Sequence, residues 1–230
     1  MKKKVSVLMA LVVLSCMVLM GCSSQKLVPA DQVVGALFQL AAMDDAAPMK
    51  DLLGFASEED VRSALMEDGG SDLVEELEKQ FTDAGIEFST EEVEEMKNDI
   101  ISLLKNTPYT VELTSEEKDK CVVTLKVTGY SMADMTEIAM TTQQAAQDAL
   151  TEDQLAAIQS GDADALNEFM HTYMMDYMKA VSQMSPMEEA TEITVECEKV
   201  KVDVSGKEQV CWMPLSLDSF GNDVEAAIMQ

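Results

Sequence analysis

Apolar residues recur at intervals of three and four positions over residues 31–105 and again over residues 132–185. This spacing places them on one side of a helix, so it predicts amphipathic helices in both regions. The first helix follows Asp31 and ends near Met43. Ser89 and Glu92 have the spacing of a capping box, which predicts the start of another helix.

The period of the pattern changes to two after Pro108, as is typical of strands. Apolar and polar residues alternate over residues 109–127 on either side of a turn, which predicts a β-hairpin. A second hairpin is predicted over residues 193–217, and we expect its turn at Ser205-Gly206. The two hairpins lie on either side of the helical segment 132–185.

Two further features of the second hairpin follow from its pattern. The apolar positions change parity between Cys197 and Val200, which predicts a bulge near Glu198-Lys199. After the hairpin, the pattern predicts a small terminal helix over residues 223–229.

This order of elements predicts an α+β fold, because strands and helices are segregated and do not alternate singly. A two-stranded hairpin is weak by itself. We therefore expect the hairpins to join into one curved, cone-like antiparallel sheet of four or more strands that the helices cover.

The N-terminus has the order of a secretory signal. Lys2, Lys3 and Lys4 precede an apolar run over residues 5–20, and Leu19-Met20-Gly21-Cys22 resembles a bacterial lipobox. The alternative is an ordinary signal whose cysteine merely falls near the cleavage site. We predict a signal peptide over residues 1–21, a tether over residues 22–30 and a single α+β domain over residues 31–230.

A lipobox cysteine receives a diacylglyceryl group, and the lipid chains hold such a protein on the membrane. We therefore expect Cys22 to anchor the chain to the cell membrane on its extracytoplasmic face. The membrane is then one partner, through this anchor.

The charge excludes several classes of protein. The formal net charge of the 230-residue chain is −27, and removal of the three signal lysines makes it more negative. Such a chain repels nucleic acid and anionic lipid headgroups, so no nucleic-acid partner is expected. The sequence also lacks a phosphate-binding loop, a zinc-ligand spacing and a GxSxG motif, so no cofactor is expected.

Cys121, Cys197 and Cys211 remain after the signal and lipid-site cysteines are set aside. All three lie in predicted strands, which favours small buried apolar residues over reactive thiols. A Cys197–Cys211 bridge is not favoured, because a turn at Ser205-Gly206 places Cys211 opposite Val200. Whether any two of the three pair is left open.

Several segments together resemble small clostridial lipoproteins that carry an uncharacterised domain. They are the lipobox, Met43-Asp44-Asp45, Gly161-Asp162-Ala163-Asp164 and Val210-Cys211-Trp212-Met213-Pro214. Those lipoproteins resemble the nuclear-transport-factor-2-like, cystatin-like α+β group, in which a bent sheet and helices enclose a pocket. The resemblance implies no catalytic residues. The helical segment 132–185 is an addition that a minimal cone does not need.

His171, the single histidine, lies in the long helix predicted over residues 163–183. At about 100° per residue, His171 and Met175 lie on the polar side of this helix, with Met178 at the boundary. The simplest interpretation is a solvated histidine, and the alternative is a Cu(I) site formed by His171, Met175 and Met178. The predicted buried stripe is Leu166, Met170, Tyr173, Met174, Tyr177, Val181 and Met184.

The leading hypothesis is a non-enzymatic cell-surface lipoprotein that binds an unidentified small molecule or protein. A ligand pocket would be bounded by Tyr109, Tyr130 or Trp212, whereas a protein-binding module would show an exposed apolar patch. A copper-handling lipoprotein is the alternative. An exported enzyme is the least favoured class.

Overall fold

The computed structural model describes residues 27–66, 79, 81–83, 85–86, 88–204 and 206–230. The predicted signal peptide, Cys22 and most of the predicted tether lie outside these residues. The chain divides into two compact units, which are treated separately below. Among the described residues, one takes those within Met1–Gly70, Pro108–Thr128 and Glu188–Ile228, and the other takes those within Ser71–Thr107, Gly129–Met187 and Met229–Gln230. The single domain expected over residues 31–230 stays a prediction.

The helices and strands follow the predicted order along the chain. The helices are α1 (Ala30–Met43), α2 (Ala47–Leu53), α3 (Glu58–Leu65), α4 (Thr90–Lys105), α5 (Met132–Asp148), α6 (Glu152–Ser160), α7 (Ala163–Val181) and α8 (Leu217–Ile228). The strands are β1 (Tyr109–Glu116), β2 (Lys120–Val127), β3 (Thr191–Val204) and β4 (Lys207–Pro214).

The first unit contains a four-stranded antiparallel sheet in the order β1-β2-β3-β4. Both predicted hairpins form, and the pairing of β2 with β3 joins them. Helices α1 and α8 pack against the sheet and against each other. The predicted α+β fold, a sheet covered by helices with a helical segment between the hairpins, is therefore confirmed.

Helix α1 packs closely on the sheet through its apolar side. Val33, Val34 and Phe38 are fully buried, and the ring of Phe38 lies 4.4 Å from the ring of Tyr109 on β1. Gly35 faces the same strand, since a Cβ atom at this position would lie 3.6 Å from Cγ2 of Val111. Burial of these apolar side chains stabilises the unit.

An ion pair holds α3 against the end of α1. Asp44 follows α1 in a left-handed conformation with φ of 51°, which aspartate tolerates better than most residues. Nε of Arg62 lies 3.1 Å from Oδ1 of Asp44, and Nη2 of Arg62 donates to the Asp44 carbonyl oxygen at 2.8 Å. The guanidinium group thus contacts both the side chain and the backbone of this turn.

The bulge predicted near Glu198-Lys199 is wrong. β3 pairs with β2 and with β4 in an uninterrupted register, and the shift in the sheet lies in β1 between Leu113 and Ser115. The first half of β3 pairs with β2, whereas its second half extends beyond β2 and pairs only with β4. The two halves can therefore bury side chains on opposite faces, and the parity changes without an extra residue.

Helix α8 begins earlier than the predicted terminal helix over residues 223–229. It starts at Leu217, and the side chain of Ser216 accepts a hydrogen bond from the Ser219 amide at 3.2 Å. Ser216 is thus an N-terminal capping residue, and it places the start of the helix six residues before the position that the apolar pattern predicted. Phe220 and Val224, at helical spacing, are buried.

The second unit contains α4, α5, α6 and α7, and α7 contacts each of the other three. Ser89 and Glu92 form the predicted capping box of α4, and Thr151 and Gln154 form another at α6. Tyr130 is fully buried, and its hydroxyl donates to the Leu103 carbonyl oxygen at 2.7 Å.

Gly35→Ala tests the packing of α1 on the sheet. Gly35 lies within the helix, and the added Cβ makes an ordinary van der Waals contact with Val111. We expect the free energy of unfolding in urea to rise by about 0.5–1 kcal/mol, since alanine costs less backbone entropy than glycine. Gly35→Leu is the matched control and should destabilise the unit. A loss of stability with alanine would contradict this packing.

Candidate functional site

The three aromatic residues proposed to bound a pocket are packed into the two units. Tyr109 and Trp212 belong to the first unit and Tyr130 to the second. The Tyr109 hydroxyl accepts a hydrogen bond from Nε2 of Gln39 at 2.5 Å, and Trp212 is 2% exposed. Nζ of Lys199 lies 4.7 Å from the centroid of the Trp212 ring, a cation–π distance. These contacts assign all three aromatic residues a packing role, and a pocket beside them stays a prediction.

A small apolar cleft in the first unit lies elsewhere. Its walls come from α1, from the end of α3 and from α8, and its cavity volume is about 20 Å³. Ligand pockets have volumes of about 300–1,000 Å³. This cleft is therefore too small for a metabolite.

His171 lies on α7 in the second unit, where it contacts Glu92 on α4 and Phe88, two residues before the start of α4. Its Nε2 atom is 3.0 Å from Oε1 of Glu92, and its ring stacks on Phe88 with centroids 4.8 Å apart. The side chains of His171 and Glu92 are each 32% exposed. The histidine therefore belongs to a cluster of four residues, which we call the His171 cluster: His171, Glu92, Ser89 and Phe88. It is not the freely solvated histidine of the simplest interpretation.

Glu92 is the centre of the His171 cluster. Its Oε2 atom accepts hydrogen bonds from the Ser89 amide at 2.9 Å and from the Ser89 hydroxyl at 2.8 Å. These bonds, together with the one to His171, hold the pKa of the Glu92 carboxyl below its ordinary value of 4.5. Glu92 therefore both caps α4 and connects α4 to α7.

The copper alternative requires His171, Met175 and Met178 to coordinate the same copper ion. All three side chains are partly exposed on α7. Nε2 of His171 already faces the Glu92 carboxylate, so a metal at this nitrogen would have to displace that contact. Within the described residues, no group of three His, Cys, Asp or Glu side chains could hold a metal ion. The copper site stays a prediction.

The three cysteines lie in the sheet as buried thiols. Cys211 pairs with Val200, as the predicted turn requires, and Cys121 pairs with Cys197. Burial raises the pKa of the Cys197 thiol to about 12 and that of Cys211 to about 11. Thiols with such pKa values are poor nucleophiles near neutral pH, which agrees with the expectation of buried apolar cysteines.

The second unit exposes large apolar side chains on three of its helices. Met132 and Met140 on α5, Leu155 on α6 and Leu166 on α7 are between 46% and 62% exposed. We call these four residues the apolar helical surface. Leu166 was predicted in the buried stripe of α7, and that placement is wrong. The periodicity identifies the apolar side of the helix, but it does not show which part of that side is covered by a neighbouring helix.

Negative charge accompanies the apolar helical surface. Residues 132–181 contain nine aspartates and glutamates and one lysine. Helices α5 and α6 also bury little, since Ala146 is the buried residue of α5 and none of the residues of α6 is buried. Exposed methionine and leucine among carboxylates is a surface suited to a partner that is both apolar and basic.

No family model and no curated protein match the sequence. The structure is similar to a solved structure of "a putative lipoprotein (ycdA)" from Bacillus subtilis, with a TM-score of 0.51 and 14% sequence identity. The match covers 87% of this chain and 56% of that one, so this chain spans little more than half the length of its structural neighbour. The likeness shows a shared fold. The resemblance to the nuclear-transport-factor-2-like group is not confirmed.

Glu92→Gln tests the His171 cluster through the pH dependence of stability. Because the pKa of Glu92 is lowered on folding, its carboxylate stabilises the folded chain above the unfolded pKa, and this contribution is lost as pH falls. The difference in free energy of unfolding between wild type and Glu92→Gln should therefore shrink between about pH 5 and about pH 3. Glu95→Gln, at an exposed position on the same helix, controls for the loss of one negative charge. A difference that is the same at both pH values would contradict this role of Glu92.

Proposed function

We propose that this chain is a lipoprotein, anchored through Cys22 on the extracytoplasmic face of the cell membrane, whose folded part is a non-enzymatic protein-binding module. The basic residues, the apolar run and Leu19-Met20-Gly21-Cys22 carry the first half of the proposal. The fold that the chain shares with a protein described as a lipoprotein supports it. In the part of the chain that the structure describes, no helix has the length and apolarity needed to span a membrane.

A protein partner is favoured over a small molecule because of what the two units expose. Among the described residues, the cleft between α1, α3 and α8 holds about 20 Å³, which is too little for a metabolite. The second unit instead exposes the four large apolar side chains of the apolar helical surface, and we infer that they act together, because contiguous exposed apolar patches mark sites that bind other proteins. This surface is the observation that carries the binding proposal.

The charge around the apolar helical surface specifies the chemistry of the partner. Nine carboxylates and one lysine over residues 132–181 attract basic segments and repel acidic ones. Methionine side chains are flexible and adapt to different apolar partners. The proposed ligand is therefore a basic amphipathic segment of another protein whose apolar side contacts residues of the apolar helical surface.

The non-enzymatic part of the proposal rests on how the candidate catalytic groups are used. His171 contacts Glu92 and Phe88, and Glu92 in turn caps α4. Cys197 and Cys211 are buried thiols with raised pKa values. Nucleophilic catalysis would require accessible thiols, and general acid–base catalysis would require His171 and Glu92, each 32% exposed, to leave their contact with each other.

Cys22→Ala tests the anchor. Without the thiol no diacylglyceryl group can be attached, so we expect the protein to be lost from the washed membrane fraction as detected by immunoblot. Cys16→Ala is the matched control, because it replaces a cysteine within the apolar run, and it should leave the protein in the membrane fraction. Equal membrane retention of the two variants would contradict lipidation at Cys22.

Leu155→Ser tests the apolar helical surface. The probe is a fluorescently labelled synthetic helix of leucine and lysine, and binding to the non-lipidated chain from Ser23 onward is measured by anisotropy. We expect Leu155→Ser or Met140→Ser to weaken binding by about three- to tenfold, since each removes apolar contact area. Added salt should weaken binding by wild type as well.

Two controls make this binding test specific. Leu215→Ser changes a leucine that is 47% exposed on the first unit, close to the 46% of Leu155, and it should leave the affinity unchanged. A probe with glutamate in place of lysine should bind weakly or not at all. Equal losses from Leu155→Ser and Leu215→Ser, or equal binding of both probes, would contradict the proposal.

A further inference from the structure

Two of the buried thiols face each other across the centre of the sheet. Cys121 on β2 pairs directly with Cys197 on β3, within a register that runs without a shift. They are 2% and 1% exposed, so both thiols are enclosed by the fold. Directly opposed residues on neighbouring strands project from the same face of the sheet.

The backbone spacing at this pair suits a covalent bridge. The Lys199 amide donates to the Asp119 carbonyl oxygen at 3.4 Å, two residues beyond the pair on each strand. Hydrogen-bonded and non-hydrogen-bonded pairs alternate, so Cys121 and Cys197 form a hydrogen-bonded pair, for which the Cα separation is about 5.5 Å. Disulfides join Cα atoms about 4.4–6.8 Å apart, and the strands therefore need not move apart or together to accept one.

The third cysteine is excluded by the same sheet. Cys197 pairs with Pro214 on β4, and Cys211 is three residues from Pro214 along that strand. Successive side chains of a strand point to opposite faces, so an odd separation places Cys211 on the face opposite to Cys197. Of the three thiols, only one pair is placed to form a bond.

We propose that Cys121 and Cys197 are a modification site, at which a disulfide oxidant joins them in a cross-strand disulfide while Cys211 stays a thiol. The thiolate of one cysteine attacks the disulfide of the oxidant, forms a mixed disulfide and releases one thiol. The thiolate of the other cysteine attacks the protein sulfur of that mixed disulfide and releases the second thiol. The two protons that leave the cysteines end on the two released thiols.

The timing of the reaction follows from burial. Burial raises the pKa of Cys121 and that of Cys197, the latter to about 12, so the folded sheet contains little of the attacking thiolate. The bridge therefore forms while β2 and β3 are still assembling, and the closed sheet protects whichever state has been reached. The inference rests on the proposed extracytoplasmic location in one respect, namely that this location supplies the oxidant during folding.

The sequence gives a direct way to map the bridge. Trypsin cleaves after Lys120, Lys126, Lys179, Lys199 and Lys207, so the three cysteines fall on separate peptides, residues 121–126, 180–199 and 208–230. The full chain carrying Cys16→Ala and Cys22→Ala is unfolded in reductant, refolded with oxidised glutathione, alkylated, digested and analysed by mass spectrometry. We expect peptides 121–126 and 180–199 to be linked, two hydrogen atoms lighter than their sum, and 208–230 to be alkylated.

Three further measurements decide the outcome. Cys211→Ala should retain the linked peptides, whereas Cys121→Ala and Cys197→Ala should lose them. Oxidised glutathione added only after refolding in reductant should link far less of the chain. Alkylation of all three cysteines after oxidative refolding, or a bridge to Cys211, would overturn the proposal.

Protein taken from intact cells distinguishes a failure of the Cys121–Cys197 bridge from a failure of the proposed extracytoplasmic location. The same peptides are mapped from chain alkylated in intact cells before lysis. Linked peptides there support both the bridge and an extracytoplasmic location. Free thiols there, with linked peptides after refolding, would support the pairing of Cys121 with Cys197 and contradict the location.

Discussion

The antiparallel pairing of β2 with β3 is the constraint on which the first unit depends. It joins two hairpins that are separated in sequence by the whole helical segment, and it brings Val123 opposite Val195 and Leu125 opposite Ile193. Each hairpin alone would be marginal, whereas four strands offer one apolar face that α1 can cover. Such a contact between distant segments closes a long loop, and its entropic cost must be met by the burial that the complete sheet provides.

Features set by neighbouring residues could be predicted, because their physical causes are local. Ser89 and Glu92 form a capping box wherever a helix follows them, and the turn at the second hairpin fixes Cys211 opposite Val200. The bulge in β3 could not be judged in this way. A change of parity indicates a bulge only in a strand that buries one face along its whole length, and each half of β3 has a different set of neighbours.

The candidate sites depend on contacts between distant residues, which no local pattern contains. His171 meets Glu92 across 79 positions of sequence, so the histidine could be placed on its helix but not with its partner. Leu166 was expected to be buried and is exposed, because the apolar side of a helix does not show which of its residues a neighbouring helix covers. Helices that bury as little as α5 and α6 draw their stability from caps and from α7, and regions of this kind open most readily.

The burial of Trp212 has a spectroscopic consequence. It is the chain's single tryptophan, and it lies in the first unit, whereas Tyr130, Tyr173 and Tyr177 lie in the second and only Tyr109 accompanies the tryptophan. Indole emission shifts to longer wavelength when water reaches the ring. The natural chromophores of the chain therefore divide between the units, so that tryptophan emission follows the opening of the sheet and tyrosine absorbance mainly follows the helices, without any added dye.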